Sequence, residues 1–120
     1  MSERSFASLE ELRTAVREFA AQRDWDQFHS PKNLAMALNV EAGELLEHFQ
    51  WLSEEASKSL APEQLQEVAA EMADVLIYLV RLADKLDVDL LASAQIKLAV
   101  NARKYPADQV RGSSRKYRER

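Results

Sequence analysis

A chain of 120 residues has room for one domain with a modest core, and its 2 glycines and 3 prolines favour helices over strands and turns. The absence of cysteine excludes a disulfide framework and any thiolate metal site. Net charge is −4, but from Lys97 onward eight Lys and Arg face only Asp108 and Glu119, a balance of +6 that leaves −10 on residues 1–96. There is no early apolar run, and the longest one, Val75 to Val80, is far too short for a membrane span. A cytoplasmic protein with no membrane partner is expected.

Ser8-x-x-Glu11 forms a capping box, and Leu9, Leu12, Val16 and Phe19 follow it at helical spacing, which predicts a first helix from about Leu9 to Arg23. After the connector Asp24–His29, Ser30-Pro31 reads as an N-cap followed by proline at the first helical position. The second helix then runs to about Leu52. A polar stretch, Ser53 to Ala61, separates it from a third helix spanning about Pro62 to Leu86. Asp87 or Asp89 caps a fourth helix that reaches about Lys104, where Pro106 ends it. This divides the chain into one all-α domain, residues 1–106, and a basic tail, residues 107–120, either flexible or closing over a substrate.

Two acidic pairs stand out against these helices: Glu41-x-x-Glu44 in the second and Glu71-x-x-Asp74 in the third. Residues i and i+3 share a helical face, so each pair aims two carboxylates at one point. Glu41 falls within the apolar stripe Leu34, Leu38, Leu45 and Leu52, while Glu44 and His48 fall at its edge. The third helix is apolar over most of its circumference, and Asp74 is its only charge between Met72 and Val80. None of the four acids has Lys or Arg at i±4, unlike an ordinary solvated glutamate, a description that suits Glu63 and Glu67. Clustered buried carboxylates are expensive unless paired or bound to metal. An all-oxygen donor set suits a hard cation, Mg²⁺ with Mn²⁺ as substitute, rather than zinc. A di-iron bundle would need Glu-x-x-His on two helices, and neither His29 nor His48 supplies it. Such a cation site is suited to phosphate substrates.

Ordered along the chain are Arg23-Asp-Trp-Asp-Gln-Phe-His29-Ser-Pro31, Glu41-Ala-Gly-Glu44-Leu, Phe49-Gln-Trp51, Asp74-Val-Leu-Ile-Tyr78, Arg103-Lys-Tyr-Pro106 and Ser113-Ser-Arg-Lys-Tyr117. In these phrases the chain resembles the all-α nucleoside triphosphate pyrophosphohydrolases of the MazG-like superfamily, and within them the dCTP pyrophosphatase branch. The resemblance implies an oligomeric four-helix bundle, a homodimer or homotetramer with sites shared between subunits. It implies hydrolysis of a nucleoside triphosphate, dCTP or a modified dCTP, to monophosphate and pyrophosphate, a house-cleaning activity on the nucleotide pool. Glu41, Glu44, Glu71 and Asp74 would serve catalysis by holding Mg²⁺. Trp25, His29, Trp51 and Tyr78 would line the base pocket, and Lys97, Asn101, Arg115 and Lys116 would face the triphosphate.

Two positions depart from the pattern. Val40 stands where the superfamily often has a further Glu, as is common in the dCTP branch, and Val16 stands where that branch tends to carry a His. The second change bears on cytosine selectivity and not on the reaction. Two other readings stand beside the enzyme: a non-enzymatic helical oligomeric interaction module with structural acids, and a nucleic-acid-binding protein using the basic tail. The acidic body argues against the latter, so no nucleic-acid partner is expected.

Overall fold

The computed structural model describes residues 5–114, so Arg115 and Lys116 lie outside the described residues. Among the described residues there are helices and no strands, in the order α1 (Leu9–Gln22), a 3₁₀ turn (Asp26–Phe28), α2 (Pro31–Glu47), α3 (Glu54–Ser57), α4 (Pro62–Lys85), α5 (Leu90–Lys104) and α6 (Ala107–Val110). The chain divides after Asp87 into two compact units. None of the described helices is long and apolar enough to cross a membrane.

In the first unit the N-termini follow the capping residues. The Ser8 hydroxyl accepts from the Glu11 amide, while Glu11 reaches back to the Ala7 amide rather than to that of Ser8. The Ser30 hydroxyl accepts from the Asn33 amide, with Pro31 at the first helical position. At α4 the Gln64 side chain accepts from the Ala61 amide at 3.2 Å, so the last turnless residue before Pro62 is tied to the helix.

The ends are harder. Helix α2 stops at Glu47, about a turn before the expected Leu52. Beyond it the His48, Phe49 and Leu52 amides bond three residues back while that of Gln50 still bonds four back, so the regular helical ladder gives way to turns. The expected polar linker holds a further single turn, α3, capped by the Ser53 hydroxyl on the Ala56 amide.

Helix α4 is the spine of this unit and packs against both α2 and α1. The core is thin. Ala15 and Ala20 of α1, Leu34 of α2, and Val68, Val80 and Ala83 of α4 are its buried apolar residues. Leu38 and Leu45 continue the Leu34 stripe only half-buried, and Leu52 lies beyond the helix. Phe19, expected on the core face of α1, is instead exposed. Its ring meets Trp25 edge-on at 5.8 Å and carries the Arg23 guanidinium 3.6 Å from its centroid. Met36, Val40, Leu46, Leu65, Met72 and Leu76 also remain exposed.

In the second unit Asp89 is the cap of α5, its carboxylate accepting from the Ala92 amide at 3.0 Å. The first unit ends at Asp87, whose left-handed conformation (φ 55°) closes α4. The expected helix end at Pro106 is correct for α5, but Pro106 also opens α6.

Candidate metal centre

The packing of α2 on α4 brings the two acidic pairs together. Glu41, Glu44 and Glu71 each offer a carboxylate oxygen, and these oxygens all lie within 4.8 Å of one another. Glu41 and Glu71 are half-buried, and one oxygen of each, Oε2, is buried without a hydrogen-bond partner. Burial is the main cause pushing the Glu41 carboxyl up to about 7, followed by the neighbouring carboxyls of Glu71 and Glu44 and the charge of Asp74. Asp74 therefore acts on the cluster, but its own side chain is exposed and lies outside the three-residue group.

A buried acceptor without a donor loses its hydration for nothing in return, and a cation among these converging carboxylate oxygens would supply what the protein does not. The donor set is all oxygen and comes from two helices. These residues fit a hard divalent cation.

The residues expected around the metal are less concentrated. Trp25 sits between α1 and the 3₁₀ turn, 45% exposed, with its ring against Phe19. Trp51 stands in the turns after α2, 87% exposed. Tyr78 is half-buried on α4, one turn beyond Asp74. Lys97 is exposed and Asn101 half-buried, both on α5 of the second unit. His29 is held: its Nδ1 accepts from Arg81 Nε at 3.1 Å, which leaves the ring proton on Nε2. Burial, then the Arg81 charge, lowers the His29 pKa, in keeping with a neutral ring.

Reading the sequence for acids overlooked a second polar cluster. Arg81, 3% exposed, donates to Asp84 Oδ2 at 2.9 Å and to Asp26 Oδ1 at 2.6 Å. Lys85 joins Asp26 at 2.6 Å, and Arg17 of α1 chelates Asp84 through two bonds of 3.0 and 2.5 Å. The available signal was Arg81-x-x-Asp84, a charged i,i+3 pair directly after the apolar run Val75 to Val80.

The chain is similar to known proteins in sequence and in fold. The profile of the MazG-like family matches residues 36–119. The dCTP pyrophosphatase 1 of Homo sapiens is 47% identical over 114 residues, which cover 93% of this chain and 67% of the human protein. That of Bos taurus is 45% identical over 118 residues, covering 94% and 70%. A solved pyrophosphatase from Archaeoglobus fulgidus superposes with a TM-score of 0.78 at 38% identity, over 88% of this chain and 99% of the archaeal one. A profile match over most of the chain, relatives at this identity and a shared helical fold converge on one assignment. The chain is a member of the MazG-like family.

Proposed function

We propose that this MazG-like chain is a Mg²⁺-dependent nucleotide pyrophosphohydrolase acting on dCTP or a modified dCTP, with Mn²⁺ as a substitute ion. The observation that carries the reading is the convergence of Glu41, Glu44 and Glu71 with two orphaned oxygens. The names of the relatives, dCTP pyrophosphatase 1, support the choice of substrate.

Glu41, Glu44, Glu71 and Asp74 would hold the cation. When bound, it supplies screening of phosphate charge and a lowered pKa for nearby water. A water oxygen attacks the α-phosphorus in line. The bond from that phosphorus to the bridging oxygen breaks, and pyrophosphate leaves. A carboxylate of the cluster takes the water's proton. Trp25, His29, Trp51 and Tyr78 would form the base pocket, with Lys97, Asn101, Arg115 and Lys116 on the triphosphate side. Residues 1–106 would act as one domain, 107–120 as its basic tail, and the working form would be a cytoplasmic homodimer or homotetramer. The exposed apolar side chains of α2 and α4 support assembly with a second copy.

The test is incubation with Mg²⁺ and a panel of canonical and 5-modified triphosphates, with products identified. Monophosphate plus pyrophosphate, greatest from the cytosine deoxynucleotides, is expected. A protein that yields neither from any triphosphate is not this enzyme, and the interaction-module reading then takes its place.

A further inference from the structure

We infer that Arg81 is a positioning residue that fixes the base end of the site by clamping the Trp25–His29 turn to the helix that carries Glu71 and Asp74. The inference rests on the nucleotide reading above. A guanidinium buried to this degree needs its donors matched. Its own helix supplies one partner, Asp84 at 2.9 Å. The other two come from the turn. Nε donates to His29 Nδ1 at 3.1 Å and Nη2 to Asp26 Oδ1 at 2.6 Å, across 52 and 55 residues of chain. Lys85 adds a second donor to Asp26 Oδ1 at 2.6 Å. The planar fork reaches three acceptors at once, a geometry that a lysine ammonium cannot reproduce from one point.

The turn itself is well defined at its other end. The Trp25 amide reaches back to the Ala20 carbonyl at 2.9 Å and the Asp24 amide to that of Ala21 at 3.1 Å, with Asp24 left-handed at φ 54°. This is a Schellman closure of α1, and it sets the direction in which Trp25 leaves the helix. The Asn33 side chain then holds the Phe28 carbonyl at 3.0 Å. Trp25 is thus pinned between the end of α1 and Arg81, with one edge on Phe19 and nearly half of its surface open.

Helical phase links the clamp to the metal site. Arg81 follows Asp74 by seven residues, which returns it to within about 20° of the same face, about 10 Å along the axis. Tyr78 lies between them on that strip. The strip therefore offers a nucleotide two anchor regions at a fixed spacing: carboxylates for the phosphate end, and a held aromatic turn for the base end. Nothing in the mechanism of phosphate cleavage requires Arg81. Its effect belongs to recognition of the base.

The experiment compares Asp26→Asn, Arg81→Lys and Arg81→Met with the wild type in full steady-state kinetics on dCTP. Asp26 is 61% exposed at its side chain, so its variant keeps the fold even where Arg81→Met does not. KM is expected to rise about ten-fold in Asp26→Asn, the scale of one weakened base–aromatic stack, with kcat changed less than about three-fold. Arg81→Lys is expected to fail to rescue KM. A second readout needs no turnover: in a Trp51→Phe background, acrylamide quenching of Trp25 fluorescence is expected to increase in Asp26→Asn. An unchanged KM in an active, folded Asp26→Asn protein overturns the inference, as does a loss confined to kcat or unchanged Trp25 quenching. A wild-type protein that releases no pyrophosphate overturns the functional reading and this inference with it.

Discussion

Glu41 is where the chemistry of the chain is most exposed to test. Its carboxyl is pushed up to about 7 by burial and by its acidic neighbours, and one of its oxygens has no donor. Such a residue opposes folding whenever it is ionised and the cation is absent. Glu41→Gln is expected to raise the melting temperature in excess chelator and to lower Mg²⁺-dependent pyrophosphate release by at least about a hundred-fold, the upper range for a residue merely supporting a metal ligand. A melting temperature that falls in chelator would show that Glu41 is structural. The acids were legible in the sequence because helical spacing is a local property: Glu41-x-x-Glu44 and Glu71-x-x-Asp74 announce a shared face before any fold is known. Spacing did not reveal that Asp74 lies outside the tight group, since that depends on how α2 is rotated against α4.

Among the elements, legibility follows the same division between local and distant causes. Ser8, Ser30 and Asp89 each accept the amide expected of an N-cap, so the starts of α1, α2 and α5 could be read directly. The end of α2 carries no glycine or proline, and the change to mixed three- and four-residue hydrogen bonds after Glu47 leaves no mark in composition. Helices α3 and α6, of 4 residues each, are too short for a periodic pattern to build up. The clamp joining the turn to α4 was equally hidden, because its partners are remote in sequence. Its electrostatics give a prediction at this scale. The hydrogen bond from Arg17, then the charges of Arg17, Arg81 and Arg13, hold the Asp84 carboxyl below its ordinary value of 3.8. The Lys85 hydrogen bond does the same for Asp26. For carboxyls lowered in the folded state, the stabilisation is present above pH 3.8 and is lost as pH falls through the lowered folded values. Asp84→Asn leaves buried Arg81 short of a counter-charge and is expected to destabilise the protein by about 3 kcal/mol near neutral pH. The deficit should shrink in acid unfolding curves taken below pH 3.8. A deficit that stays constant with pH would assign the loss to packing instead of charge.

The whole chain combines an acidic body with a basic C-terminal stretch, and the buried apolar core among the described residues is small. Met36, Val40 and Leu46 of α2 and Leu65, Met72 and Leu76 of α4 are exposed, while six apolar residues among the described residues are buried. Under the proposed assembly with a second copy, stability would carry a mass-action contribution as like copies meet over those side chains. The unfolding midpoint then becomes a function of dosage: serial dilution at constant buffer and Mg²⁺ is expected to lower it, and a midpoint independent of protein concentration would assign all the stability to the single chain. Under the proposed assembly the consequence in a cell would be a protein whose lifetime rises with its own abundance, because at low copy number the greasy sides of α2 and α4 would spend more time uncovered and open to proteases.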